Sequence, residues 1–309
     1  EAIYDFLSHK IKKKFFFFSN IQNFKISKTN KKRVNIIISK SGNTLETVSN
    51  LNLILTKQKT NRNLIITENK KNILRVMADK LKSDVLDHKN YIGGRYSVLS
   101  EVGMVPAELM GLNEKKFKRL NYLIKNKGFI NFLVQNVSSI HSNIIQGKKN
   151  SVLLNYDEKL NNFLKWYQQL SAESLGKKSK GYFPIISTMP KDNHSLLQLY
   201  LDGPKNNFYS FFISKEINSF KFNKTYLINE LSHLKKKNIY EVLNAQKKAT
   251  QNVFNKKKLS FRSFEIKNKS EETLGELFTF FILETLMLSS LLNVNPINQP
   301  SVELIKIET

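Results

Sequence analysis

Val34-Asn35-Ile36-Ile37-Ile38 runs directly into Ser39-Lys40-Ser41-Gly42-Asn43-Thr44, and a helical pattern opens at Leu45. The first five residues are mostly β-branched and apolar, which fits a strand buried on both faces. A strand that ends in a loop of small hydroxyl residues ahead of a helix makes an anion site. Backbone N–H groups and the helix dipole face the ligand, and the hydroxyls add donors. Gly42 lets the backbone approach closely, and the carboxyl ends of strands are where open α/β sheets bind ligands. The loop lacks G-x-x-x-x-G-K-[ST], so it is not a nucleotide P-loop. A plainer reading, in which Ser and Thr merely cap the helix, accounts for the same residues.

Working outward, helical and extended stretches alternate. Residues 1–12 read as a helix and 14–18 as a strand; a helix over 45–57 follows the opening strand. Then come an apolar run at 64–66, a helix at 73–82 and a short strand at 84–86. Residues 101–145 are helical and lysine-rich, and Gly147-Lys148-Lys149-Asn150 reads as a linker. The pattern restarts with strands at 152–154, 183–186 and 208–212 and helices at 159–170 and 196–201. A long helix at 272–292, apolar on most faces, is expected to be buried. Apolar runs separated by helices signal βαβ units and parallel sheets covered on both faces. The expectation is an α/β protein with a first domain at 1–112 and a second at 113–309.

The chain has 309 residues, with 50 Lys+Arg against 25 Asp+Glu, a formal charge of +25. The positive charge is nearly all lysine, spread along the chain among abundant Asn and Ile, which favours a solvated coat over a nucleic-acid face. There is no cysteine, which removes disulfides and thiolate metal sites and fits a reducing compartment. Phe15-Phe16-Phe17-Phe18 is too short for a secretory core, and no stretch reads as a membrane span.

Further motifs carry chemistry. In Gly93-Gly94-Arg95-Tyr96-Ser97 a flexible turn precedes an arginine that can hold negative charge; an ordinary turn with a surface ion pair is the alternative. Gln169 and Glu173-Ser174-Leu175-Gly176-Lys177 precede the strand at 183–186, and Asp192-Asn193-His194-Ser195 follows it. Glu173 and His194 suit general acid–base work, although His194 reads equally as a surface residue. The five histidines form no H-x-x-x-H or similar pair, so no metal site is expected. Asn295-Pro296-Ile297-Asn298-Gln299-Pro300 ends the long helix and leads on to Ser301-Val302-Glu303-Leu304-Ile305-Lys306.

Taken in this order, the segments resemble the glucose-6-phosphate isomerase family over most of the chain. Residues 39–47 look like its phosphate loop, 93–100 like its glycine-glycine-arginine signature, and 169–177 like the stretch with the catalytic glutamate. Residues 192–195 look like the histidine stretch, and 299–306 like the C-terminal signature ending in a lysine. The resemblance implies two sugar-isomerase (SIS) domains of doubly wound parallel sheet and interconversion of glucose 6-phosphate and fructose 6-phosphate without metal or organic cofactor. By the same resemblance His194 and Lys306 open the sugar ring, Glu173 moves a proton between C2 and C1 through a cis-enediolate, and Arg95 stabilises the oxyanion. Ser39, Lys40, Ser41 and Thr44 hold the phosphate, with Gly94, Gln169 and Gln299 completing the substrate contacts.

The family's glycine-rich loop after its first strand has no counterpart here. Glu1 falls where the following helix should begin, so the first domain is expected to lack its N-terminal strand. The C-terminal signature carries Asn298 where Asp is usual and Ser301 where Gly is usual. Family members are cytoplasmic homodimers in which the histidine serves the neighbouring subunit, so His194 is expected to act across an interface, with neither nucleic acid nor membrane as partner. Other readings are a non-catalytic sugar-phosphate-binding SIS module, an inactive fragment of the isomerase, the isomerase half of glucosamine-6-phosphate synthase, which lacks the Gly-Gly-Arg and Glu-Ser-x-Gly-Lys stretches, and a basic nucleic-acid-associated protein.

Overall fold

The computed structural model describes residues 1–21, 33–57, 62–215 and 220–302. Along the chain, α1 (Ala2–Phe6) precedes β1 (Val34–Ile38), α2 (Leu45–Lys57), β2 (Arg62–Glu68), α3 (Ile73–Leu81) and β3 (Asp84–His88). Helices α4 (Glu101–Leu109), α5 (Leu120–Leu123) and α6 (Lys127–Ile145) follow. The second half holds β4 (Asn150–Asn155), α7 (Asn161–Leu175), β5 (Phe183–Thr188), α8 (Leu197–Asp202), β6 (Asn207–Ser214), α9 (Ile239–Lys256), β7 (Phe261–Ile266) and α10 (Glu271–Leu291). All strand pairs within the two sheets are parallel.

The chain divides into two compact units, residues 9–115 and residues 1–8 with 116–309. The first helix departs from the expectation: α1 belongs with the second half, not with 1–112. Ile3 and Phe6 are buried, and the Asp5 carboxylate accepts a hydrogen bond from Asn162 of α7 at 2.5 Å.

In the 9–115 unit the sheet order is β1-β2-β3. Ile37 and Ile65 from the sheet, Leu51 from α2 and Leu74 and Ala78 from α3 make one apolar cluster. Residues 14–18, expected as a strand, enter neither sheet. Asn50 of α2 donates instead to the carbonyls of Phe18 and Asn20, at 3.4 and 3.0 Å, so a side-chain amide takes backbone acceptors that a ladder would use.

In the other unit the order is β5-β4-β6-β7. The chain moves outward from β4 to β5 and then back across to β6 and β7, which is the doubly wound pattern; the three-stranded sheet progresses one way only. Strand β6 is buried along almost its whole length because both faces of the sheet are covered, and successive side chains point to opposite faces. Tyr209, Phe211 and Ile213 pack with Tyr200 and Phe254 on one side. On the other, Phe212 stacks on Phe264 at 4.9 Å and lies 6.0 Å from Phe281 of α10. Each fully buried aromatic of this kind contributes about 1.5–3 kcal/mol.

By length and composition α10 could cross a membrane, but Leu274, Phe278, Phe281 and Leu288 are fully buried, as the sequence leads one to expect. Its Glu284 pairs with Arg262 of β7. Burial lowers the affinity of that guanidinium for its proton, and the Glu284 charge and hydrogen bond, with the neighbouring Tyr167 and Tyr182, together more than restore it. Helix α10 ends in a Schellman motif: Asn293 takes a left-handed φ of 50° while Val294 N–H reaches the Ser289 carbonyl and Asn293 N–H that of Ser290. Helix α9 and strand β7 lie where the sequence analysis assigned no element.

Candidate functional site

Within the 9–115 unit, the loop after β1 and the turn after β3 both leave the carboxyl edge of the sheet. The Ser39 and Thr44 hydroxyls lie 2.7 Å apart, and Gly42 N–H donates to Ser39 Oγ at 3.2 Å. Ser39 is buried, whereas Ser41 and Thr44 are exposed at the start of α2. Gly42 has a φ of 66°, and a Cβ there would come within 2.1 Å of the Asn72 side chain. Only glycine fits that position. Asn72 caps α3 by accepting from Arg75 N–H at 3.0 Å, and Asn43 Oδ1 accepts from Ile73 N–H at 3.0 Å. The loop is thus held in shape from α3. Asn72, an Asn ahead of an apolar helical pattern, is an N-cap signal legible in the sequence.

Lys40 does not point freely into solvent. Its Nζ lies 3.3 Å from Glu68 at the end of β2 and donates to the Asn90 carbonyl beyond β3 at 2.9 Å. It therefore ties the loop after β1 to the turn after β3, across the edge of the sheet. That turn continues into a single 3₁₀ stretch, Gly94–Leu99, with Arg95 buried in it and its guanidinium 5.4 Å from the Tyr96 ring. At Gly94 an added Cβ would meet nothing within 4 Å, so the glycine opens onto free space. His88, buried at the end of β3, contacts Glu101 through Nδ1 and lies 3.2 Å from the Ile92 carbonyl through Nε2. Burial works to raise the Glu101 carboxyl, but hydrogen bonds from its own backbone N–H, His88 and Lys89 together hold it below the ordinary value.

In the other unit, Gln169 and Glu173 sit one turn apart near the end of α7, and Gln169 Nε2 donates to Glu173 Oε1 at 2.9 Å. Helix α7 runs five residues beyond the expected end at 170. Ser171 Oγ satisfies the Tyr167 carbonyl at 2.9 Å, and Ser174 is buried, so polar residues continue the helix. The chain then curls through Lys178 and Ser179, at φ of 52° and 58°, to Gly181 at 91°. Two non-glycine residues in that region cost about 1–2 kcal/mol each.

Asp192 anchors the turn that carries His194. Its carboxylate accepts from Ser187 Oγ at 2.8 Å, Thr188 N–H at 2.7 Å and Ser195 Oγ at 3.0 Å. His194 itself is exposed. Because α7 runs antiparallel to β5, these sites lie at opposite ends of the sheet. Asn161, at the start of α7, bonds to Asn155 at the carboxyl end of β4 at 2.7 Å, level with Thr188. Gln168 reaches the Pro184 carbonyl at 2.7 Å. The twelve residues from 161 to 173 then carry Glu173 about 18 Å toward the amino edge at 1.5 Å per residue. The His194 turn stays at the carboxyl edge, so one chain does not bring its own Glu173 and His194 together.

Gln299 follows α10 in a short connecting stretch, and Lys306 lies outside the described residues. Among the described residues no group of three His, Asp or Glu side chains is placed to hold a metal ion.

A family model described as "Phosphoglucose isomerase" matches residues 2–188. The glucose-6-phosphate isomerase of Methanocaldococcus jannaschii is 30% identical over 281 residues, which is 86% of this chain and 68% of that protein. The chain spans 62–68% of the length of the first curated relatives it matches. Among solved structures, a hypothetical protein of Thermus thermophilus superposes with a TM-score of 0.79 at 24% identity, covering 88% of this chain and 69% of that one. A glucose-6-phosphate isomerase from Chlamydia trachomatis superposes at 0.66 and 20% identity, covering 88% and 57%. These two likenesses establish the fold, paired parallel-sheet units of the sugar-isomerase type. With the family model matched over more than half of its length, this chain belongs to the phosphoglucose isomerase family.

Proposed function

We propose that this chain catalyses the reversible isomerisation of glucose 6-phosphate and fructose 6-phosphate, a step shared by glycolysis and gluconeogenesis. The observation that carries this reading is the Gln169–Glu173 pair, a carboxylate held by a neutral donor on the helix where the family signature falls. Glu173 takes the C2 proton of the aldose and returns it to C1 through a cis-enediolate; the reverse reaction exchanges the two carbons. Arg95 balances the enediolate oxygen charge. The substrate phosphate sits on the hydroxyls and N–H groups at the start of α2, where Ser39, Ser41 and Thr44 converge and Lys40 adds charge. Binding energy from that remote group positions the reacting carbons. Gly94 and Gln299 complete the contacts with the sugar, and Lys306 assists ring opening.

His194 opens the ring in the site of a second copy. The separation of about 18 Å along α7 supports this assignment, because ring opening and proton transfer occur on one substrate. The working enzyme is accordingly a homodimer, and a cytoplasmic setting suits a chain without cysteine. The excess of positive charge draws in a dianionic substrate. The test is turnover of fructose 6-phosphate by this chain beside Glu173→Gln. Turnover in the parent that collapses in the variant supports the reading, and equal rates in the two would sink it.

A further inference from the structure

The Glu-Ser-x-Gly-Lys stretch ends in a lysine for which the roles above have no use. Lys177 Nζ donates to two carbonyls, Ser174 at 3.0 Å and Asn295 at 2.6 Å. The first is among the last carbonyls of α7, which have no helical N–H partner; the second belongs to the chain leaving α10. Three residues on, Lys180 Nζ donates to the Leu292 carbonyl at 2.8 Å, at the end of α10 itself. Both ammonium groups therefore sit where helix C-termini present uncompensated carbonyls and negative dipole ends.

The curl between them brings the two lysines to the same place. Lys180 N–H bonds to the Lys177 carbonyl at 2.9 Å, Lys178 and Ser179 are left-handed, and a Cβ at Gly181 would lie 2.7 Å from the Leu175 carbonyl. On one side of this clip is α7 with Gln169 and Glu173. On the other is the stretch that reaches Gln299 four residues after Asn295.

We propose that Lys177 and Lys180 are positioning residues that clip the chain leaving α10 to the end of α7, setting Gln299 in register with Glu173. The catalytic part of this proposal rests on the isomerase reading above; the clip itself does not. Neither lysine touches the substrate. They act by holding two segments whose relative placement decides how the sugar lies against the base, and small misplacements of such groups are costly.

The experiment pairs hydrogen exchange over residues 292–302 with steady-state kinetics on fructose 6-phosphate, using the full chain. The variants are Lys177→Met with Lys180→Met, Lys177→Arg, and Lys178→Gln as a control that removes a charge from the same curl. In the double variant, exchange quickens across 292–302 and kcat/KM falls about tenfold or more, while the melting transition stays cooperative. Lys177→Arg, which keeps donors for both carbonyls, restores most of the loss, and Lys178→Gln behaves as the parent. Should the double variant not fold, Lys180→Met is read in the same way. Unchanged exchange overturns the clip whether or not the parent turns over substrate. Faster exchange with unchanged kcat/KM in an active parent overturns its role in positioning. An inactive parent removes the isomerase reading, and exchange alone then decides the clip.

Discussion

Gln169 Nε2 lies 2.9 Å from Glu173 Oε1, one helical turn away on α7. The helix places the two groups at i and i+4, where side chains meet, and the amide holds one carboxylate oxygen. Glu173→Gln should lower kcat by about 10²–10⁴-fold, the usual contribution of a positioned base. Gln169→Leu should cost less, since it removes the donor and keeps the base. Comparable losses in the two variants would contradict the assignment of Glu173 as the base.

The placement of Glu173 and His194 at opposite ends of the sheet predicts complementation. Glu173→Gln and His194→Ala homodimers should each be nearly inactive. Mixed after unfolding and refolding together, they should recover activity, because one site in each heterodimer carries both groups. Recovery is read from the turnover rate against mixing ratio, and a flat response would exclude action across an interface.

Lys40 spans Glu68 and the Asn90 carbonyl, so Lys40→Met loosens two loops and removes a charge beside the proposed phosphate position. A hydrogen bond with a charged partner is worth about 1.5–3 kcal/mol. KM for fructose 6-phosphate should accordingly rise about tenfold or more, with kcat changed much less. A loss confined to kcat would place Lys40 in the chemical step instead.

In the core of the larger unit, Arg262 meets Glu284, whose side chain is 0% exposed. Tyr167 donates to the same carboxylate at 2.9 Å. Removing one partner strands the other charge in an apolar setting. Glu284→Gln should therefore cost about 3–5 kcal/mol, measured as a shift of the denaturant midpoint at constant m-value. A shift equivalent to less than about 1 kcal/mol, as for an exposed pair, would mean that water reaches the pair.

Tyr182 shares that core. Burial, with the Glu284 charge second, pushes its phenol from 10.0 to about 12. Between those values the unfolded chain has released the proton and the folded chain retains it. The stability this group contributes is therefore whole below pH 10 and is lost as pH rises toward 12. Tyr182→Phe should flatten the decline in melting temperature over that range; an unchanged slope would assign the alkaline loss to other groups.

Much of the fold was legible because local chemistry and tertiary context agree. Val34–Ile38 and Leu45–Lys57 end where a β-branched run meets small polar residues and where the helical pattern begins and stops. The readings went astray where side chains substitute for what periodicity expects. Phe15 to Phe18 has the composition of a strand, but Asn50 takes carbonyls a neighbouring strand would need. Helix α7 outlasts its apolar pattern because Ser171 and Ser174 are buried in it. Strand β7 hides its period behind Arg262, an inward-facing charge that makes sense only opposite Glu284. Helix α9 went unassigned although Asn238 and Glu241 form a capping box, a signal open to inspection.

By itself the sequence determined the alternation of strands and helices, the loop at the start of α2 and the family signatures, because these depend on residue types at short spacing. The tertiary structure decided which partners those residues keep. It bound Lys40 to Glu68 and Asn90, buried Arg95, held Asp192 against the end of β5 and turned Lys177 toward Asn295. It also set Glu173 and His194 at opposite ends of one sheet. Such placements arise from contacts between residues far apart in the chain, and neither periodicity nor composition encodes the distance across a sheet.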